Sequence, residues 1–238
     1  MKYKLFLFIS LLSWINSFGN DSTSQKKSRQ YIGFEVGVAT PSMHGTDLDL
    51  QLSRQGATFT NQTGFQAGII FKNEFTRAFY VKTGFIYGER KGQVQHSTFV
   101  FNSNIQSSTV YLPLLVGLQL AGASSADRVK LGVECGASLG IPSRSDNLEQ
   151  GLYPGQDIHK PSMIPSFIIG GNFELSFSKK LSCFLNYRFS KDLNYYFSRR
   201  YTWHDDTLNK DVYKDYDVWM QCSSVTVGLF VRVDTISH

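Results

Sequence analysis

Two of the five histidines have neighbours that could do acid–base chemistry. His96 is followed by Ser97, and His204 by Asp205 and Asp206. A hydrolase needs a nucleophile, a base to take its proton and an acid to orient that base, all within hydrogen-bond reach. Either group would qualify only if folding gathered all three at one rim. Loop histidines and aspartates need no such role, so a rim hydrolase acting on lipid is the least favoured reading. His204, Asp205, Asp206 and Asp211 could also hold a cation weakly, although a solvated acidic turn explains them as well. Cys135, Cys183 and Cys222 are odd in number and match no metal spacing, so they read as small apolar strand residues. No phosphate loop or nucleophile elbow occurs. The chain is expected to be no enzyme, with no catalytic residue, no metal ligand and no cofactor.

Two other groups stand out. One is a set of six charges at matching strand positions: Glu35, Glu134 and Glu174 with Lys82, Arg188 and Arg232. The other is a run of aromatic and arginine residues, Tyr195, Tyr196, Arg199, Arg200, Tyr201 and Trp203. Aromatics interleaved with Arg are the side chains that protein-binding surfaces favour. The run could equally be a loop that packs on itself.

The elements that must position these residues alternate with period two almost everywhere. Eight segments carry the alternation, at about 31–39, 64–71, 79–90, 109–120, 129–140, 166–177, 181–189 and 218–233. In the fifth, Val129, Leu131, Val133, Cys135, Ala137 and Leu139 face one way; Lys130, Gly132, Glu134, Gly136, Ser138 and Gly140 face the other. Short turns are expected at 72–77, 121–128 and 178–180. Long connections are expected at 40–63, 91–108, 141–165 and 190–217. Short turns at one end and long loops at the other is the arrangement of outer-membrane barrels, with both termini on the short-turn side. The expected fold is an all-β, eight-stranded, antiparallel, up-and-down transmembrane β-barrel.

Volume decides which face points outward. An eight-stranded barrel is only just wide enough for side chains to fill it. The apolar faces supply roughly forty side chains, many of them bulky, and these do not fit inside. The opposite faces, built from Gly, Ser, Asn, Gln and a few charges, do fit. In water the apolar belt would exceed any patch a monomer tolerates. In a bilayer it is stable, and closure satisfies the backbone. The six charges then face the lumen, where pairing is the usual answer to burial. They are expected to form an interior ion-pair network that plugs the barrel. Some of the 19 Phe and 12 Tyr, Tyr87 and Tyr187 among them, should lie at the membrane interfaces.

Residues 1–19 read as a secretory signal peptide. Lys2 and Lys4 precede an apolar run from Leu5 to Ile15 that is too short to cross a bilayer. Ser17 and Gly19 supply the small residues before cleavage, leaving 20–238 as the barrel domain. Cleavage removes two of 24 Lys and Arg and none of 19 Asp and Glu, so the formal charge falls from +5 to +3. That mild balance, without a basic block, gives no reason to expect a nucleic-acid partner.

The strand Val110-Tyr111-Leu112-Pro113-Leu114-Leu115-Val116-Gly117 has a Tyr-x-x-Pro-Leu-Leu core. With the Gly-rich strand Ile32-Gly33-Phe34-Glu35-Val36-Gly37, the hairpin 80–88 and the leader, it resembles the PorT-like outer-membrane β-barrel proteins of the Bacteroidetes type. The resemblance covers most of the mature chain. It implies no catalytic residues, and its namesake is similar to a component of a protein-secretion system. The sequence therefore points to a non-enzymatic outer-membrane barrel with a plugged lumen. A structural or interaction role is expected, in secretion or surface assembly, with outer-membrane lipid and other envelope or secretion proteins as partners. The alternative is a barrel that binds or transports a small solute.

Overall fold

The computed structural model describes residues 28–45, 57–96, 102–121, 128–146, 158–159, 161–195, 197–205 and 207–233. The strands are β1 (Arg29–Gly45), β2 (Ala57–Gln62), β3 (Gly64–Glu74), β4 (Phe79–His96), β5 (Asn102–Ala121), β6 (Val129–Asp146), β7 (Ile158–His159), β8 (Ile164–Ser176), β9 (Leu181–Asp192), β10 (Phe197–Asp205) and β11 (Lys210–Val233). Eight of them form the wall in the order β1, β3, β4, β5, β6, β8, β9, β11, each antiparallel to the next. The wall closes where β1 pairs β11, from Gln30↔Val233 to Gly45↔Val218. The closed eight-stranded antiparallel barrel is therefore present. The other three strands extend it at the long-loop end. There β2 continues the wall beside β4, and β10 pairs the upper half of β11.

The alternation sorts by face as volume requires. Val133 is 65% exposed on the outside, whereas its neighbour Glu134 is 2% exposed within. Phe34, Val36, Val38, Leu118, Leu131, Ile169, Leu185, Val227 and Leu229 join Val133 in an outward apolar belt. Tyr87 and Tyr187 also face out, and their hydroxyls donate to Ser108 and Ser223. Such a belt is stable against hydrocarbon rather than water.

The lumen departs from expectation in composition. It holds a cluster of Tyr31, Ile70, Phe184 and Phe230 as well as polar groups. The Phe184 and Phe230 rings lie 4.2 Å apart between centroids. Glycines make the room. A β-carbon on Gly117 would overlap the Tyr80 ring, and one on Gly228 would overlap both the Phe34 carbonyl and the Phe184 ring.

Several expected boundaries are corrected; β1, β2 and β6 also run into the expected connections 40–63 and 141–165. β3 runs through Lys72 to Glu74, which were expected in a turn, and both are buried in the lumen. β4 and β5 extend to His96 and from Asn102, through most of an expected long loop. The expected loop 190–217 is largely a hairpin of β10 and β11, with Asn209 at a φ of 46° in its turn. Asn is among the few residues that adopt that left-handed conformation readily.

Candidate functional site: the charged lumen

Inward positions of neighbouring strands meet across a narrow bore, so charges distant in sequence become partners. At mid-height Arg188 bridges two carboxylates. Its Nη1 donates to Glu35 at 2.7 Å and its Nε to Glu134 at 2.8 Å. Lys82 donates to the other Glu134 oxygen at 2.7 Å, and the Tyr80 hydroxyl donates to it at 3.3 Å. Asn186 and the Thr226 hydroxyl each donate to Glu35 at 3.2 Å.

A second tier lies toward the short turns. Lys72 sits 2.7 Å from both Glu74 and Glu174. Lys130 pairs with Glu74 at 2.7 Å, and Ser182 donates to Glu174 at 2.9 Å. Gln119 accepts from Lys72 and donates to Glu74, each at 3.1 Å. The Lys72 ammonium also lies 4.7 Å from the centre of the Tyr80 ring, linking this tier to the one above.

A third tier closes the long-loop end. Arg90 makes a two-pronged contact with Asp192, at 2.7 and 3.2 Å. Ser166 donates to the same carboxylate at 2.8 Å, and the guanidinium lies 5.2 Å from the Tyr111 ring. Between this tier and mid-height is a void of only about 50 Å³, lined in part by Gln66, Tyr111 and Arg188. That is room for a few waters, far below the volume of a pocket for an organic ligand.

Among the described residues, the buried charges are Glu35, Glu74, Glu134, Glu174 and Asp192 against Lys72, Lys82, Arg90, Lys130 and Arg188. The two signs balance. Any one unpaired would cost several kcal/mol to bury, on the order of 3–5 when a partner is removed.

Of the six charges singled out in the sequence, Glu35, Lys82, Glu134 and Arg188 meet at mid-height, and Glu174 joins the tier below. Arg232 lines a vestibule at the short-turn mouth. Sequence reasoning missed Lys72 and Glu74, misread as a turn, and Asp192, misread as a loop residue. It placed Lys130 on the inward face, and residue 90 at the end of the third alternating segment, without joining either to the network. Parity was the available signal: Gln66, Ile70, Lys72 and Glu74 keep one face, but the apolar Ile70 breaks the polar pattern.

The aromatic and arginine run is not an open loop. Tyr195 is half-buried and its amide donates to Asn194 Oδ1 at 2.9 Å. Tyr196 lies outside the described residues. The backbones of Arg199, Arg200, Tyr201 and Trp203 belong to β10, opposite Tyr216, Asp215, Lys214 and Val212. His96 ends β4 and His204 lies in β10, on separate hairpins, while Ser97 and Asp206 lie outside the described residues. Among the described residues, no three His, Cys, Asp or Glu side chains form a group that could hold a metal ion.

The fold recurs in a solved structure. The crystal structure of the outer membrane protein OprG from Pseudomonas aeruginosa matches 88% of this chain and 98% of its own, with a TM-score of 0.57 at 12% identity. The chain shares the OprG barrel fold. At that identity the likeness to OprG extends to the fold alone. Neisserial surface protein A also matches, at a TM-score of 0.47 and 12% identity over 87% of this chain and 99% of that one. No protein-family model matches the sequence, and neither does any curated protein sequence.

Proposed function

We propose that this protein is a non-enzymatic outer-membrane β-barrel, exported through a cleaved signal peptide, whose sealed lumen leaves it a structural or interaction role. The observation that carries the reading is the charge-balanced network of three tiers, which fills the bore with paired side chains. A conducting pore needs water along its axis, and here the middle of the axis is protein. The OprG-like fold and the outward apolar belt support residence in an outer membrane. Function then falls to the two ends: the tall β10–β11 hairpin outside and the short-turn mouth within. The resemblance to PorT-like barrels makes secretion or surface assembly the setting, with other envelope proteins as partners.

The test is conductance of the mature protein, refolded and reconstituted in planar bilayers. The expected record is flat. Sizeable, steady open currents would sink the sealed-lumen reading and favour transport of a small solute.

A further inference from the structure

The short-turn mouth carries a charge imbalance that the rest of the lumen lacks. The vestibule there encloses about 610 Å³, the size of pockets that hold organic ligands. Its floor is the lowest tier of the network, at Glu74 and Lys130. Around and above that floor stand Arg29, Arg77, Arg128, Lys179, Lys180 and Arg232. Among the described residues, seven basic side chains therefore line the space against one acid, and Glu74 already pairs with Lys72 and Lys130. Arg29, Arg77, Arg128 and Lys179 are exposed at this mouth.

A concave basic surface over a low-dielectric wall concentrates its field and attracts anions. The basin lies inside the ring of turns and opens along the barrel axis. It faces the aqueous compartment rather than the surrounding lipid. Its lining also includes Tyr31, Phe177 and Leu181, which a bare inorganic anion would leave unused. We infer that the short-turn mouth is a docking basin for an acidic peptide segment, presented from the periplasm by another envelope protein. Carboxylates pair with the rim arginines and lysines while apolar parts of the segment cover Phe177 and Leu181. This rests on the membrane-barrel reading above and gives its interaction role a site.

The probe is fluorescein-labelled hexaglutamate, added to the full mature barrel in phosphatidylcholine nanodiscs and followed by anisotropy. The comparison is the triple variant Arg77→Glu, Arg128→Glu, Lys179→Glu. These side chains are exposed, and the heat-dependent gel shift of the folded barrel checks each preparation. The expected result is saturable binding that weakens at least tenfold in the triple variant and falls with added salt. Should that variant not fold, Arg77→Gln with Lys179→Gln is expected to weaken binding at least threefold. Equal affinity in the variants, or no saturation, overturns the inference. So does a response confined to inorganic tripolyphosphate or to vesicles containing phosphatidylglycerol, which would make the occupant a free phosphate or a lipid headgroup. Conductance of the same preparations keeps the two proposals separable: a closed barrel that ignores the peptide refutes the basin alone.

Discussion

Replacing Arg188 by Met tests the network at its most connected point. Met keeps much of the side-chain volume, so the cavity left behind is small. The change removes the guanidinium contacts to Glu35 at 2.7 Å and Glu134 at 2.8 Å. Glu134 keeps Lys82 and the Tyr80 hydroxyl. Glu35 keeps only the neutral donors Asn186, Thr226 and Gln66, so it becomes the orphaned buried charge. Breaking such a pair costs about 3–5 kcal/mol. At about 1.4 kcal/mol per decade that is roughly two to three and a half orders of magnitude in the unfolding equilibrium. Adding Glu35→Gln removes the orphan while keeping an acceptor for Asn186 and Thr226. The double variant should then return to within about 2 kcal/mol of the parent, the residue being lost hydrogen bonds worth roughly 1 kcal/mol each. The assay is urea unfolding of the refolded barrel in micelles, read by tryptophan fluorescence and by gel mobility, as a double-mutant cycle. A single variant losing less than about 1 kcal/mol would refute the reasoning. A double variant less stable than the single one would refute it too.

Two further outcomes concern the outer face. Val133→Arg puts a charge in the middle of the belt and should cost about 2–4 kcal/mol of folding stability in liposomes, whereas Leu120→Arg, near the end of β5, should cost under about 1. Equal penalties at the two sites would contradict the assigned depth. A water-soluble maleimide should leave Cys135 and Cys183 unmodified in bilayers because both sit on the outward face, and Cys222 unmodified because it is buried in the lumen. All three should react after unfolding, and labelling of Cys135 in the intact bilayer would place that face in water.

How far the sequence could be read depended on contrast between faces. Along β6, from Val129 to Gly140, bulky apolar residues alternate with Gly, Lys, Glu and Ser, and strand, face and register all follow. The contrast disappears outside the apolar belt. Lys91, Gly92 and Gln93 of β4 put no bulky apolar residue on either face, so their stretch looked like a loop. The network was partly legible for the same reason. Glu35, Lys82 and Glu134 lie mid-strand with clear parity. Asp192 lies at the end of β9, beyond the alternating stretch, and only three-dimensional closure brings it to Arg90. Phe184 and Phe230 were hidden because apolar residues at inward positions look like interruptions, and their partner glycines carry no polarity to mark them. The hairpin turn did leave a signal in Asn209, whose left-handed backbone suits a tight reversal.

The height of β11 has a consequence for reach. Crossing the hydrocarbon takes about 9–11 strand residues, which the alternating stretch 225–233 supplies. The preceding residues, from Lys210, continue the same strand for roughly 50 Å of path at about 3.3 Å per residue. Because β10 is hydrogen-bonded alongside, this stretch is a stiff mast rather than a tether. A tether must surrender conformational freedom when it is captured; a mast has surrendered it on folding. Whatever meets the Arg199–Trp203 segment therefore meets it well clear of the lipid headgroups, at a fixed stand-off set by strand length.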